Sequence, residues 1–551
     1  MRILTISPFR FAQKAGLMAL MLFGFLSAKA QQPAVLPTPV VNPDTTRVIE
    51  ILSGQSLRWI TLPDGTELQT LAGNAAVKQA GTILKGDSIV LNSRTGIAEV
   101  FGHVHINDAD TVNTYADYLK YLGKDRIAYL KKNVKLTDGK GTLLTNDLEY
   151  NLATGIASYK NGGKVLNGKT VLTSSDAVYY SDTRDVYFKK YVHLTDPNYD
   201  IKADSLMFNT LTKTATFISP TKIVTKENGV IHTKSGTYNL ATGEAVFLDR
   251  TSYSDSTRSI VGGKIAYDEK TGVLQIEENA KLVDSVNNVT VLGNQILLNK
   301  YKNSFLATRK PVMILYQKGD STYVAADTLF SGLRRYDSAQ RTTLSYTDTL
   351  NNTVALNSNN AKDSIRYFLA FHHTRIFNDS LQAVCDSLYY STEDSVFRMF
   401  KDPIAWNGNS QIAGDTMYMF TANQQPKEMQ VFHHAMVINQ SSPGLFNQMS
   451  GHTLNAYFTD GNLNYVRIKG SPAQSIFYPQ DDDSAYIGMN RSSGDVVDIY
   501  FVNKELNKVK FVNDVNGTLY PLKQIPADQK ELKGFKWWDS RRPKHYLELF
   551  E

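Results

Sequence analysis

A single cysteine, Cys385, stands among 551 residues, so a disulfide framework is excluded, and no cysteine near the start of the chain offers a lipid-attachment site. Set in Ala383 to Asp386, it reads as a buried structural thiol rather than a nucleophile. Beyond the first thirty residues no stretch approaches the roughly 20 apolar residues that a membrane helix needs. Charge of one sign is also missing. The formal net charge is +6, and it falls to about +2 without Arg2, Arg10, Lys14 and Lys29, too even for a nucleic-acid binder. No G-x-S-x-G elbow or H-E-x-x-H helix occurs, and no carboxylate pair stands apart from the turn aspartates, so nothing asks for an enzyme or a cofactor.

What the chain does have begins with an export leader. Basic residues up to Lys14 precede an apolar run from Ala15 to Leu26, then Ala28-Lys29-Ala30, which predicts a signal peptide over 1–30. Pro33, Pro37, Pro39 and Pro43 predict an extended linker over 31–48. Export without a membrane helix or lipid anchor leads to a periplasmic, secreted or outer-membrane-barrel protein. The chain carries 30 tyrosines and 25 phenylalanines, which favour strands over helices.

The main signal is a repeat. A polar or small residue is followed, four positions on, by an aromatic or Leu: Asp87 to Leu91, Asp117 to Tyr121, Asn146 to Tyr150, Asp176 to Tyr180, Asp204 to Phe208. The phrase continues from Lys234, Gly263, Asn294 and Asp327, in steps of 28 to 33 residues, and resumes at Asp386 and Asp415. Such a period marks a repeat architecture whose units bury their apolar faces only by stacking. Each unit turns at a glycine (Gly155, Gly243, Gly272) and returns as a second alternating strand, such as Ala98 to Ile106 or Asp185 to Leu194. Strict alternation would put Ile89, Leu91, Leu119, Tyr121, Leu148, Tyr150, Val178, Tyr180, Leu206 and Phe208 on one apolar face. They either line a groove or fill a closed core, and a one-residue slip would turn the opposite set inward. The strands look short for a membrane barrel, and both faces carry charge.

Other motifs weigh less. Gly163 to Thr170 fits a phosphate-loop pattern, but a strand and no helix follows, so it reads as a hairpin. His103 and His105 would share a strand face, while His372-His373 and His433-His434 would point to opposite faces. No spacing supplies further metal ligands, so all six read as surface or packed imidazoles. Asp481 to Asp483 reads as a solvated turn. Ile525 to Gly534 predicts a short helix, leading into a basic, aromatic tail from Phe535 to Lys544. Tyr546 to Phe550 would be the sorting signal of an outer-membrane barrel.

Written out, the unit A/G-D-x-L-x-Y, a turn, then A-x-x-x-G-x-V-x-I-x-D resembles the OstA-like, LptA-type lipopolysaccharide-transport family. That family includes the N-terminal domain of the outer-membrane translocon. The unit runs from Gly81 to Gly332 and again from Asn378 to Met419. Phe397 to Trp406, Gly470-Ser-Pro, Ala485 to Arg491 and Trp537-Trp538 are similar to long OstA-like proteins of the Bacteroidetes type. The resemblance implies an all-β fold, a folded and twisted β-jelly-roll (a β-taco), with two or more modules. We expect one module over 49–335, a second over 336–450 and a C-terminal β region over 451–551. It also implies a periplasmic carrier of lipopolysaccharide through its lipid A acyl chains. Edge-strand pairing with an inner-membrane anchor, an outer-membrane translocon or a second copy would complete a bridge. It carries no catalytic residues and no metal. A structural β-scaffold with a filled core and no lipid is the alternative.

Overall fold

The computed structural model describes residues 49–335 and 364–550, apart from residues 80, 109–111, 140, 198, 318–319, 423–424, 482 and 504. It adds the strands Ser345–Thr347 and Thr353–Ala355. The expected leader and linker, and most of the passage where the repeat thins, lie outside the described residues. The expected all-β class holds: among the described residues every regular element is an antiparallel strand or a 3₁₀ turn of five residues or fewer. Two compact units divide near residues 257–271. The first runs to Ser256 and takes in Gly263–Lys270; the second holds Thr257–Gly262 and the chain from Thr271.

In the first unit the long strands bend once. Strand Ile97–Asp108 lies against Val112–Leu122 with Phe101 opposite Tyr118 and Val104 opposite Ala116, so Gly102 and His103 together face Asp117 alone. Two residues against one is a β-bulge, which bends the strand and raises its twist. Both extra residues are left-handed, at φ 67° and 43°. The same left-handed pair recurs at Gly73-Asn74, Lys132-Asn133, Asn161-Gly162 and Lys190-Tyr191, 29 or 30 residues apart. The repeat period is thus the spacing of one corner. Aligned corners fold the sheet into two arms. Arm A holds Val100, Leu119, Leu130 and Leu148; arm B holds Val104, Val134, Leu136 and Val165. All eight side chains point between the arms and are buried.

The corner explains the polar residue that opens most repeats. Asp87, Asp117 and Asn146 are the single residues opposite the bulges. Asp87 takes the His103 imidazole at 3.0 Å, and Asp117 accepts from Asn133 at 2.7 Å. A Cβ at Gly102 would fall 2.0 Å from the Asp87 carboxylate, so this contact requires glycine there.

The second unit repeats the corner at Glu278-Asn279, Arg309-Lys310, His372-His373, Lys401-Asp402 and His433-His434, but its arm B is buried on both faces. Val312 to Leu315 and Gln382 to Cys385 are buried without alternation. The outer cover is the chain's own end. Leu549 packs on Val312, Ile314, Ala325 and Phe377; Trp538 on Val384, Ile404 and Trp406; Leu532 on Met436, Ile438, Ile476 and Met489. Two glutamines grip this segment as a strand edge would. Gln448 donates to the Lys530 carbonyl and accepts from the Leu532 N–H; Gln411 does the same with Lys536 and Trp538, all at 2.8–2.9 Å.

The helix expected over Ile525 to Gly534 does not form. Only the 3₁₀ turn Ala527–Gln529 is present, and Gly534 is left-handed. The backbone groups that a helix would use internally are engaged by Gln448. The phosphate-loop phrase is a hairpin, Gly163–Asn167 against Thr170–Ser174.

Candidate functional site

An apolar space lies between the arms of the first unit. Strand Tyr199–Asn209 crosses both: Ile201 faces inward from arm B, Leu206 and Phe208 from arm A. Leu172 and Leu194 complete arm B, and Ala215 and Phe217 complete arm A. They enclose a cavity of about 50 Å³. An apolar cavity of roughly 150 Å³ admits benzene, so an acyl chain enters only if the arms part.

Two aromatics meet across the mouth. Tyr199 of arm B and Tyr238 of arm A meet edge to face with ring centroids 6.3 Å apart. Burial raises the Tyr199 phenol pKa far above its ordinary value, and the hydrogen bond with Tyr238 adds to this. Burial raises the Tyr238 phenol too. Both stay neutral and hold the mouth shut with a short polar seam at the rim. Thr170 donates to Asp196 at 2.5 Å on the same rim. Nearer the N-terminus the corresponding positions Leu91, Tyr121 and Tyr150 are half-buried, whereas Phe208 is 2 % exposed.

Eight of the ten residues expected on one face share it. Ile89, Leu119, Leu148, Leu206 and Phe208 are buried, and Leu91, Tyr121 and Tyr150 lie farther out on the same parity. Val178 and Tyr180 do not join them. In that repeat the residue opposite the Lys190-Tyr191 bulge is Ser175, whose N–H donates to the Lys190 carbonyl. The corner therefore falls one residue before Asp176, Ala177 and Tyr179 turn inward, and Tyr180 is 38 % exposed. The sequence reading also missed arm B. Its signal was present in Val104 and Ile106, Val134 and Leu136, Val192 and Leu194, which resume alternation just after each corner.

The second unit's interior is less uniformly apolar. Arg366 lies on the inward row of Phe368 and Ala370, 4 % exposed, with Nη1 3.4 Å from both the Asn303 carbonyl and Ser331 Oγ. Burial lowers its guanidinium pKa to about 10.

The histidines serve the corners. His103, at the corner, turns to Asp87 from a left-handed backbone, while His105 stacks on Tyr115 at 4.6 Å. His372, His373 and His434 reach Asp386, Asp327 and Asp415 at 2.9–3.2 Å, all from left-handed positions. His433 meets His452 edge to face. Cys385 is buried, and burial raises its thiol to about 12, so it is a structural thiol and not a nucleophile.

Asp386 stands opposite the His372-His373 corner. Bonds from Ser387, His372 and Lys401 hold its carboxyl down at about 2. A carboxyl depressed on folding stabilises above its ordinary pKa near 4 and loses that contribution as pH falls toward 2. We expect Asp386→Asn to melt below wild type at pH 5 and alongside it at pH 2. A constant gap across pH 2–5 would show that the corner pairing contributes nothing through charge.

Residues 46–204 match the OstA-like protein family. The matched span covers less than a third of the chain and contains the five consecutive corners from Gly73 to Tyr191. No curated protein matches the chain.

Proposed function

We propose that the protein carries lipopolysaccharide through the periplasm toward the outer membrane, sheltering lipid A acyl chains between the two arms of its first unit. The reading rests on one observation: a family-matched segment that lines its inter-arm space with aliphatic and aromatic side chains from both arms. The work required is passive, since an apolar trough takes up chains by removing their surface from water, at roughly 25 cal/mol per Å². No reacting group is needed, and the protein is not an enzyme in this reading. Among the described residues, the edge strands Glu50–Ser53 and Ser56–Thr61 pair only with Glu67–Gln79. They expose Ile51, Leu57, Ile60 and, at 66 %, Trp59. An open apolar edge is where a transport partner or a second copy would add its strand.

In-cell photocrosslinking tests the cargo. A benzoylphenylalanine at Tyr121 or Phe208 should yield a lipopolysaccharide adduct, and one at Tyr180 or Lys189 should not. Adducts at all four sites, or at none, would remove the trough from the argument. The small cavity favours a second reading, a scaffold with a filled core, and an absence of adducts from folded protein would establish it.

The tyrosine seam supplies a further test. Tyr199→Phe with Tyr238→Phe should cost about 1 kcal/mol, one hydrogen bond, and raise adduct yield at Phe208. Unchanged yield at equal expression would mean that the seam does not limit entry.

A further inference from the structure

The outer face of arm B in the first unit carries a line of cations that only the strand register reveals. Lys85 lies opposite His105, His105 opposite Tyr115, and Tyr115 opposite Lys135. The line continues through Leu144, Lys164, Thr173 and His193 to Lys202, Lys222 and His232. Directly paired residues share a face, so the five lysines form one row along the stack. At the usual spacing between strands the row is roughly 50 Å long. All five lysines are exposed. The row holds no carboxylate. One carboxylate reaches the row, Asp200 at 2.7 Å from His193; Asp87, Asp117 and Asp176 are engaged at the corners by His103, Asn133 and Lys190. Lys202 and Lys222 stand directly opposite each other, a like-charge pairing that costs stability.

The corresponding row of the second unit shows what this face takes. There Val312, Ala325, Arg375, Val384, Ile404, Ala413 and Met436 line up in the same cross-strand register. An irregular, largely unhelical polypeptide segment, residues 530–549, covers them along the stack. The face is thus a track for a polypeptide lying across the strands, apolar in one unit and basic in the other.

We infer that the lysine row of the first unit is a docking track for an extended acidic polypeptide segment of a partner protein. The occupied track fixes the kind of ligand, and the charge fixes its composition. A segment of about 15 residues spans the row at the reach of an extended chain.

The test uses the full chain and a fluorescein-labelled 16-residue peptide of alternating Glu and Ser, read by fluorescence anisotropy at low and physiological salt. We expect micromolar binding that weakens with salt, because exposed charges are screened. Changing Lys85, Lys135, Lys164, Lys202 and Lys222 to Gln should raise Kd at least tenfold. The same change at Lys124, Lys169, Lys189, Lys226 and Lys234, exposed and off the row, should alter it less than twofold. Equal losses in the two variants would reduce the effect to net charge and overturn the proposal. So would no binding to wild type, or row-dependent binding to vesicles containing phosphatidylglycerol without binding to the peptide. Melting curves of both variants confirm that the fold is kept.

Discussion

Removal of residues 530–551 should lower the melting temperature by about 10 °C or more and make the truncated protein bind a hydrophobic dye. The segment is the outer cover of arm B in the second unit. Leu532 and Leu549 are each 3 % exposed, and burying a large apolar side chain stabilises by about 1.5–3 kcal/mol. Those two alone account for roughly 3–6 kcal/mol, and each kcal/mol moves the midpoint of a unit this size by about 2–4 °C. Truncation also strips partners from Gln382, Gln411 and Gln448, which are 1–4 % exposed beneath the segment. Differential scanning fluorimetry reads the effect. A truncated chain melting within about 2 °C of the full one would show that the cover is only laid over a face stable without it. A sharper version changes one residue: Trp406 is fully buried and packs against Trp538.

The same cover shows where the sequence was legible and where it was not. Period and strand content follow from local alternation and turn chemistry, which act within a few residues, so the repeat and its all-β class could be read directly. The parity of most inward residues was legible too, because Asp87, Asp117 and Asn146 mark the corner itself. It failed at Asp176, where a second polar residue, Ser175, occupies the corner and the aspartate only neighbours it. One-residue ambiguity of this kind is resolved by pairing across the bulge, a non-local fact. The run Val312 to Leu315 did signal a strand buried on both faces, but the sequence does not say that residues more than two hundred positions away supply the second cover. The helix expected over Ile525 to Gly534 rested on its Pro and Gly punctuation. Tertiary hydrogen bonds from Gln448 decide otherwise.

The two units treat one architecture differently. Each folds its sheet at left-handed corners, yet the first leaves its outer arm B face charged and buries only neutral polar side chains such as Thr114, Thr145 and Ser174 among its apolar ones. The second covers that face and admits Arg366 inside. This contrast places the proposed cargo in the first unit. A buried guanidinium lined by few acceptors is a poor neighbour for a hydrocarbon chain, whereas Leu172, Leu194, Leu206 and Phe217 present no polar atom beyond the backbone.

Phe217→Ala, at the centre of that space, should cost about 3–5 kcal/mol and be rescued in part by an apolar ligand. Phe217 is 2 % exposed, stacks on Phe247 with centroids 6.0 Å apart and lines the cavity. Truncating a buried aromatic loses its transfer free energy and leaves a void that the surroundings fill only partly. Here the void would merge with space already present, so relaxation has less to close. A ligand that binds the folded state alone returns stability in proportion to RT ln(1 + [L]/Kd), about 2.7 kcal/mol at a hundredfold excess over Kd. Titration of the variant with a short-chain detergent monomer below its micelle concentration should therefore raise its melting temperature, while wild type, with its tyrosine seam closed, responds less. Destabilisation under 1 kcal/mol would mean that the arms collapse freely onto each other. Full destabilisation with no rescue would mean that the interior does not open to a chain from outside, and the carrier reading would give way to the filled scaffold.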